Sequence, residues 1–180
     1  MAQSVEKVYA FALFELCNEE NTLKDTYEEL GALKKIFDDN GELLELLSSP
    51  SMGEEDKHSV LKNIFEGRVS ETTFNFLNVL SDHGRAKYFD KIYDVFHGLY
   101  NDKMGIMEVE VVTSEPLSEK LEKKLILKLE AQSGKRVLIN KTVDKSIIGG
   151  IIVRYCDSEI DGSLRKRLSD LRKSIDSYIA

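Results

Sequence analysis

The side chains best suited to chemistry in this sequence are three histidines, two cysteines and a few glycines set beside polar residues. His58, His83 and His97 share no H-E-x-x-H or comparable ligand spacing, and each falls in a helical or turn segment among charged neighbours. They read as structural rather than metal-binding. Cys17 and Cys156 form no C-x-x-C, which excludes a zinc ribbon and a disulfide framework and fits a reducing compartment. Cys17 lies among apolar residues on a helix, where a free thiol packs as a small hydrophobe. Gly162-Ser163 lacks the flanking pattern of a nucleophile elbow.

Phosphate binding fails for similar reasons. A Walker A loop needs a glycine five positions before its Gly-Lys pair and a hydroxyl after it, but around Gly134-Lys135 those places hold Leu129 and Arg136. Gly149-Gly150 precedes a strand instead of opening a helix, so no helix N-terminus faces a pyrophosphate there, and the pair reads as a turn. Arg165, Lys166, Arg167, Arg172 and Lys173 make the one basic cluster, on the polar face of the last helical segment. A solvated face, an acidic protein partner and a nucleic acid all suit it. Nucleic-acid binding would ask for a more basic module with aromatic platforms.

The elements that must position these residues divide into two kinds. Before Gly105 the apolar period is helical. Val5, Val8, Tyr9, Ala12 and Leu16 form a stripe behind Ser4 as N-cap; Leu23, Tyr27, Leu30 and Phe37 form a second, with Gly41 expected as its stop. A leucine cluster at 43–47 ends at Pro50. Ser51-Met52-Gly53-Glu54 is expected to form a capping box for the next helix. Ser70 opens a fifth helix to Leu80, and Phe89, Ile92, Tyr93, Phe96 and Tyr100 trace a sixth. The short connections predict antiparallel neighbours in a bundle.

From Ile106 the period becomes two. Met107, Val109 and Val111 alternate with Glu108, Glu110 and Val112, predicting a strand with one wet face. A lysine-rich helix carrying Leu121, Leu125 and Leu129 follows Pro116 and closes at Gly134. Strands are expected at 137–143, 151–155 and 158–161, the last two as a hairpin across Cys156-Asp157. A terminal helix bears Leu164, Leu168, Leu171, Ile175 and Tyr178 on one stripe. The fold class is therefore α+β, mainly α: an N-terminal six-helix bundle over 1–105 and a small β-α-β-β-α C-terminal module over 106–180.

Charge divides at the same place. The 180 residues carry a net charge of −7, with 25 Lys and Arg against 32 Asp and Glu. Residues 1–105 hold 11 basic and 20 acidic side chains, a net of −9, while residues 106–180 hold 14 and 12, a net of +2. No basic signal region precedes the first helix, and no apolar run approaches membrane-spanning length, so a cytosolic chain reaching membranes only through partners is expected.

Apolar surplus is the strongest functional signal. Phe11, Leu13 and Phe14 lie off the main stripe of the first helix, and Phe76 and Val79 face away from Phe74 and Leu77 on the fifth. Either these helices are buried on all sides, or they form a groove for an amphipathic partner helix.

The run Val143-Asp144-Lys145-Ser146-Ile147-Ile148-Gly149-Gly150-Ile151-Ile152-Val153-Arg154, with Glu159-Ile160-Asp161-Gly162-Ser163-Leu164 after it, closely resembles the signature of the delta subunits of bacterial F-type ATP synthases. The mitochondrial counterpart of that family is the oligomycin-sensitivity-conferring protein. Tyr9-Ala10-Phe11-Ala12-Leu13-Phe14 and Asn75-Phe76-Leu77 through Gly84-Arg85 are similar to it as well. Lys145 stands where Pro is frequent, and Cys156 where Gly is usual.

The resemblance implies a non-catalytic peripheral-stalk subunit without cofactor or metal, which couples proton flow to ATP synthesis by holding the catalytic head against rotation. Its helical domain would bind the N-terminal segments of α subunits, and its C-terminal domain the membrane-rooted b subunits. It would be monomeric when isolated, would bind no nucleic acid, and would sit peripherally on the cytoplasmic face of the bacterial plasma membrane. Amphipathicity and analogy together assign the α-segment groove to Tyr9, Ala12, Leu13, Phe76 and Val79. Val143, Asp144, Gly149, Gly150, Arg154, Asp161, Gly162 and Ser163 are expected to shape the C-terminal module and its b surface rather than to hold a ligand. The alternative is a small nucleic-acid-binding regulator using the basic last helix.

Overall fold

The structure, a computed structural model, describes residues 4–155 and 158–179, apart from the side chains of 175–179. The chain divides into two compact units, Met1–Tyr100 and Asn101–Ala180.

The first unit holds helices α1 (Val5–Glu19), α2 (Leu23–Asp39), α3 (Gly41–Ser48), α4 (Glu54–Phe65), α5 (Glu71–Asp82) and most of α6 (Phe89–Met104), the last entered through a 3-10 turn at Ala86–Tyr88. Its core is aromatic and leucine-rich. Phe37 is central, edge-on to Phe65 and Phe89 at ring separations of 6.0 and 4.7 Å, with Leu30, Leu33, Leu61, Leu80 and Phe96 buried around it.

Three local expectations change. Gly41 opens α3 instead of stopping the chain, because Asn40 makes the break and lets the leucine cluster bury Leu47 in the core. The expected capping box does not form: α4 starts two residues later, behind Gly53, and Ser51 Oγ lies 2.7 Å from Ser49 Oγ. On α1 the core face is shifted. Ala10, Leu13 and Cys17 are buried with Phe14 and Tyr9 packed beside them, while Val8, Ala12 and Leu16 of the expected stripe are exposed.

Ser70 caps α5 as expected, accepting from the Thr73 amide at 3.3 Å. A second cap comes from a distance. The Glu29 carboxylate of α2 accepts the Ser70 amide and hydroxyl, both at 2.8 Å, and the Thr73 hydroxyl. One carboxylate thus serves the positive end of α5 and ties it to α2.

The second unit is a four-stranded sheet in the order β2-β1-β3-β4. Strand β1 (Ile106–Thr113) runs parallel to β2 (Arg136–Val143), pairing Ile106 with Arg136 through Thr113 with Val143. The crossover is α7 (Glu119–Ser133), which Gly134 ends in the left-handed region at φ 68°. Strand β3 (Ile151–Tyr155) is antiparallel to β1 and to β4 (Ser158–Asp161). The β3–β4 hairpin forms as expected, but its tip, Cys156-Asp157, lies outside the described residues. Helix α8 (Leu164–Ile179) ends the described chain.

Leu125, Ile126 and Leu129 of α7 cover Val109, Val111, Val137 and Val153 on one sheet face. Leu121 is exposed, so only part of the expected α7 stripe is core. The opposite face is not wholly wet either: Val112 is buried with Ile147 and Ile152 in a separate small cluster. Strand periodicity shows alternation, but it cannot show that a later turn returns to cover the second side.

Candidate functional site

Helices α1 and α5 run side by side in opposite senses. Tyr9 meets Phe76 edge-on at 6.5 Å, and further along α1 Glu20 accepts from the Thr72 hydroxyl at 3.1 Å. Between these contacts lies an open groove of about 580 Å³, lined by Tyr9, Ala12, Leu13, Leu16, Phe76 and Val79, with Glu20 and Glu71 at one end. All five residues expected to form a partner groove, Tyr9, Ala12, Leu13, Phe76 and Val79, border this one space.

Their roles differ. Leu13 and Phe76 are buried and form the floor as part of the core, whereas Ala12 and Val79 are exposed on the walls. Leu16, which the site assignment omits although it belongs to the α1 stripe, is 43% exposed on the same wall. Neither helix is buried on all sides: Leu13 and Phe76 are core, while Phe11 and Val79 are 43% and 44% exposed. At the far end of the groove Arg85 Nη1 donates to the Tyr9 hydroxyl at 2.8 Å, and its guanidinium lies 5.4 Å from the ring centroid.

Several positions of the C-terminal signature are tied into the local structure. Gly150 has φ +86°, and a Cβ there would stand 2.3 Å from the Gly162 carbonyl oxygen; one on Gly149 would meet Leu164 at 2.9 Å. The glycine pair lets the turn before β3 pass against the start of α8, as its reading as a turn requires. Asp144 accepts the Ser146 amide and hydroxyl, both at 2.8 Å, so this cap shapes the turn where Lys145 replaces Pro. The Ser146 amide foremost, then its hydroxyl, hold the Asp144 carboxyl below the ordinary aspartate range.

Asp161 accepts the Ser163 amide at 2.8 Å, and hydrogen bonding from Ser163 lowers its pKa likewise. Ser163, buried, accepts the Lys166 amide at 3.1 Å as the cap of α8. Arg154 reaches across two strands to Glu159 at 2.6 Å and Glu110 at 3.1 Å. Val143 ends β2, exposed.

The basic residues of α8 do not form a purely cationic surface. Arg165, Lys166 and Lys173 share a depression with Asp144, Asp161 and Asp170. The apolar stripe of the same helix is open: Leu164, Leu168 and Leu171 are 43%, 56% and 60% exposed. Ile175 and Tyr178, assigned to that stripe, lie outside the described side chains.

Of the residues suited to chemistry, Cys17 and His97 are held by packing, while His58 and His83 are exposed. Cys17 is buried and hydrogen-bonded to Thr26 at 3.4 Å, and burial pushes its thiol pKa up. His58 Nε2 lies 2.6 Å from Asp82 Oδ1, and His97 stacks on Tyr27 and Tyr93. Among the described residues no group of three or more metal-capable side chains converges.

A family model described as the ATP synthase delta (OSCP) subunit matches residues 5–175. The chain belongs to this family. It is 32% identical over 167 residues to "ATP synthase subunit delta" of Chlorobium chlorochromatii, covering 93% of each chain. It is also 32% identical over 179 residues to the protein of that name from Alkaliphilus oremlandii, covering 99% of each. The fold matches a chain of the Toxoplasma gondii mitochondrial ATP synthase hexamer with a TM-score of 0.74 at 24% identity, over 96% of this chain and 98% of that one.

This delta-family chain thus has the family's role, that of a peripheral-stalk subunit of the F-type ATP synthase, a complex in which delta subunits are non-catalytic. No helix among the described residues is long and apolar enough to cross a membrane.

Proposed function

We propose that this delta-family chain is the joint of the stator, with residues 1–105 holding N-terminal segments of the α subunits and residues 106–180 holding the b subunits. The observation that carries the reading is the α1–α5 groove, whose floor is Leu13 and Phe76, whose walls set Ala12, Leu16 and Val79 beside the polar Thr72 and Asn75, and whose mixed lining suits an amphipathic helix. A joint under torque needs slow dissociation, which desolvated apolar anchors supply and rim charges do not. The b-facing surface is the open α8 stripe of Leu164, Leu168 and Leu171, with exposed Ile148 on the turn that leads to it. The chain contributes no catalytic residue and no cofactor. It is a monomer when isolated, and it reaches the cytoplasmic face of the membrane only through its partners.

The test is titration of a synthetic peptide of the α N-terminus into the full chain, followed by assembly of the chain with α-containing heads. Saturable binding that Val79→Asp weakens supports the reading. Absence of binding to both peptide and heads overturns it.

A further inference from the structure

The charged side chains lining the α1–α5 groove are Glu20 and Glu71, both exposed; among the described residues no Lys or Arg lines it. The Thr72 hydroxyl donates to the Glu20 carboxylate at 3.1 Å and holds it at this end. Glu15 and Glu19 follow Ala12 and Leu16 by three positions on α1 and so stand beside them. The same spacing puts Glu6 beside Tyr9 and Asp82 beside Val79, at the other end. There Asp82 lies 2.6 Å from His58, and Arg85 is occupied on the hydroxyl and ring of Tyr9. Carboxylates thus stand at both ends of an apolar floor made by Leu13 and Phe76.

We propose that the groove selects a basic amphipathic helix, one whose apolar stripe lies over Leu13 and Phe76 and whose flanking positions carry Lys or Arg at both ends. The inference rests on the reading of this groove as the α-segment site and adds the charge that the site selects. With acidic groups at both ends, the rim reads the sign of the charge and not the direction of the helix. The groups are exposed, so each ion pair contributes little affinity once formed. Their effect falls on encounter: a negative rim around a concave apolar surface draws a cationic segment in and repels an acidic one. Residues 1–105 carry a net −9 in all, so the rim has to be separated from that general field.

The experiment uses the full-length protein and three designed helical peptides that share one apolar stripe and carry Lys, Gln or Glu at the flanking positions. Association and dissociation rates are measured by stopped-flow fluorescence at low and high salt. Glu20→Gln/Glu71→Gln removes the lining charges and keeps an acceptor for Thr72. Glu42→Gln/Glu45→Gln removes two exposed carboxylates of α3 and serves as the control for the general field. Val79→Asp places the uncharged glutamine peptide, whose binding it should weaken.

At low salt the lysine peptide is expected to bind the wild type about three- to tenfold more tightly than the glutamine peptide, through faster association, with the glutamate peptide weakest. High salt and the rim variant should both shrink that order, and the α3 variant should leave it. Equal binding of the three peptides, binding indifferent to Val79→Asp, or a preference that the α3 variant reduces as much as the rim variant does overturns the basic-helix assignment. The groove reading then stands or falls on the α-segment titration alone. Binding of none of the three, with α-containing heads also refused, overturns both.

Discussion

Gly150 stands so close to Gly162 that a Cβ on the first would lie 2.3 Å from the carbonyl oxygen of the second. The contact is between backbones, so no side-chain rotation relieves it. Gly150→Ala adds strain at φ +86° to this clash and is expected to destabilise the C-terminal unit by about 2–4 kcal/mol. Gly149→Ala meets only the flexible end of Leu164 and should cost less. Thermal unfolding of the two variants checks the order; equal melting temperatures would refute the close-approach account.

Ile148, just before this pair, is a β-branched residue at φ 69° and 60% exposed. Ile148→Gly removes the strain of that conformation at a smaller entropic cost, so the variant should be more stable by up to about 1 kcal/mol. If Ile148 belongs to the b-facing surface, the same variant binds b less tightly. Denaturant midpoints and b-subunit pull-down measure the two effects separately.

Glu29 caps α5 from α2. Glu29→Ala leaves the Ser70 amide and the Thr73 hydroxyl short of a partner, with an expected loss of about 1–3 kcal/mol in the N-terminal unit. Ser70→Ala should cost about 1 kcal/mol. Because both act through one cluster, the double variant should lose less than the two losses added, which a double-mutant cycle reads directly.

Asp144 and Asp161 have pKa values lowered from the ordinary 3.8 by their hydrogen bonds to Ser146 and Ser163. A carboxyl whose folded pKa lies below its unfolded pKa stabilises the fold fully above the unfolded value. It loses that contribution as pH falls through the folded one. The C-terminal unit should therefore weaken below about pH 4, and Asp144→Asn/Asp161→Asn should flatten the slope. An unchanged acid-unfolding profile in the variant would count against these caps.

Val79 is 44% exposed while Phe76 is 9% exposed within the core. Val79→Asp should weaken capture of an α segment with little change in melting temperature. Phe76→Asp should lower both, since it puts a charge into the bundle interior. The sequence assigns both residues to one groove; burial separates them.

The family, the α+β class and the change of structure near Gly105 were legible in the sequence because each is written in neighbouring residues. Helical period, strand period, the Gly134 stop and the glycine pair are all local signals. The five groove residues came from amphipathicity together with the family resemblance. Their division into floor and wall was not legible: a stripe shows that a face is apolar, but only the helix packed against it decides whether that face is core. On α1 packing buried Leu13 and Cys17 and left Ala12 and Leu16 open while Tyr9 still packs against the core, so the buried face is shifted from the one that periodicity favoured. Glu29 capping Ser70, the cover of Ile147 over Val112, and Arg85 on Tyr9 join residues 35 to 76 positions apart. Such contacts leave no periodic trace, so the sequence determined the elements and the family, while tertiary packing decided which surfaces were left for partners.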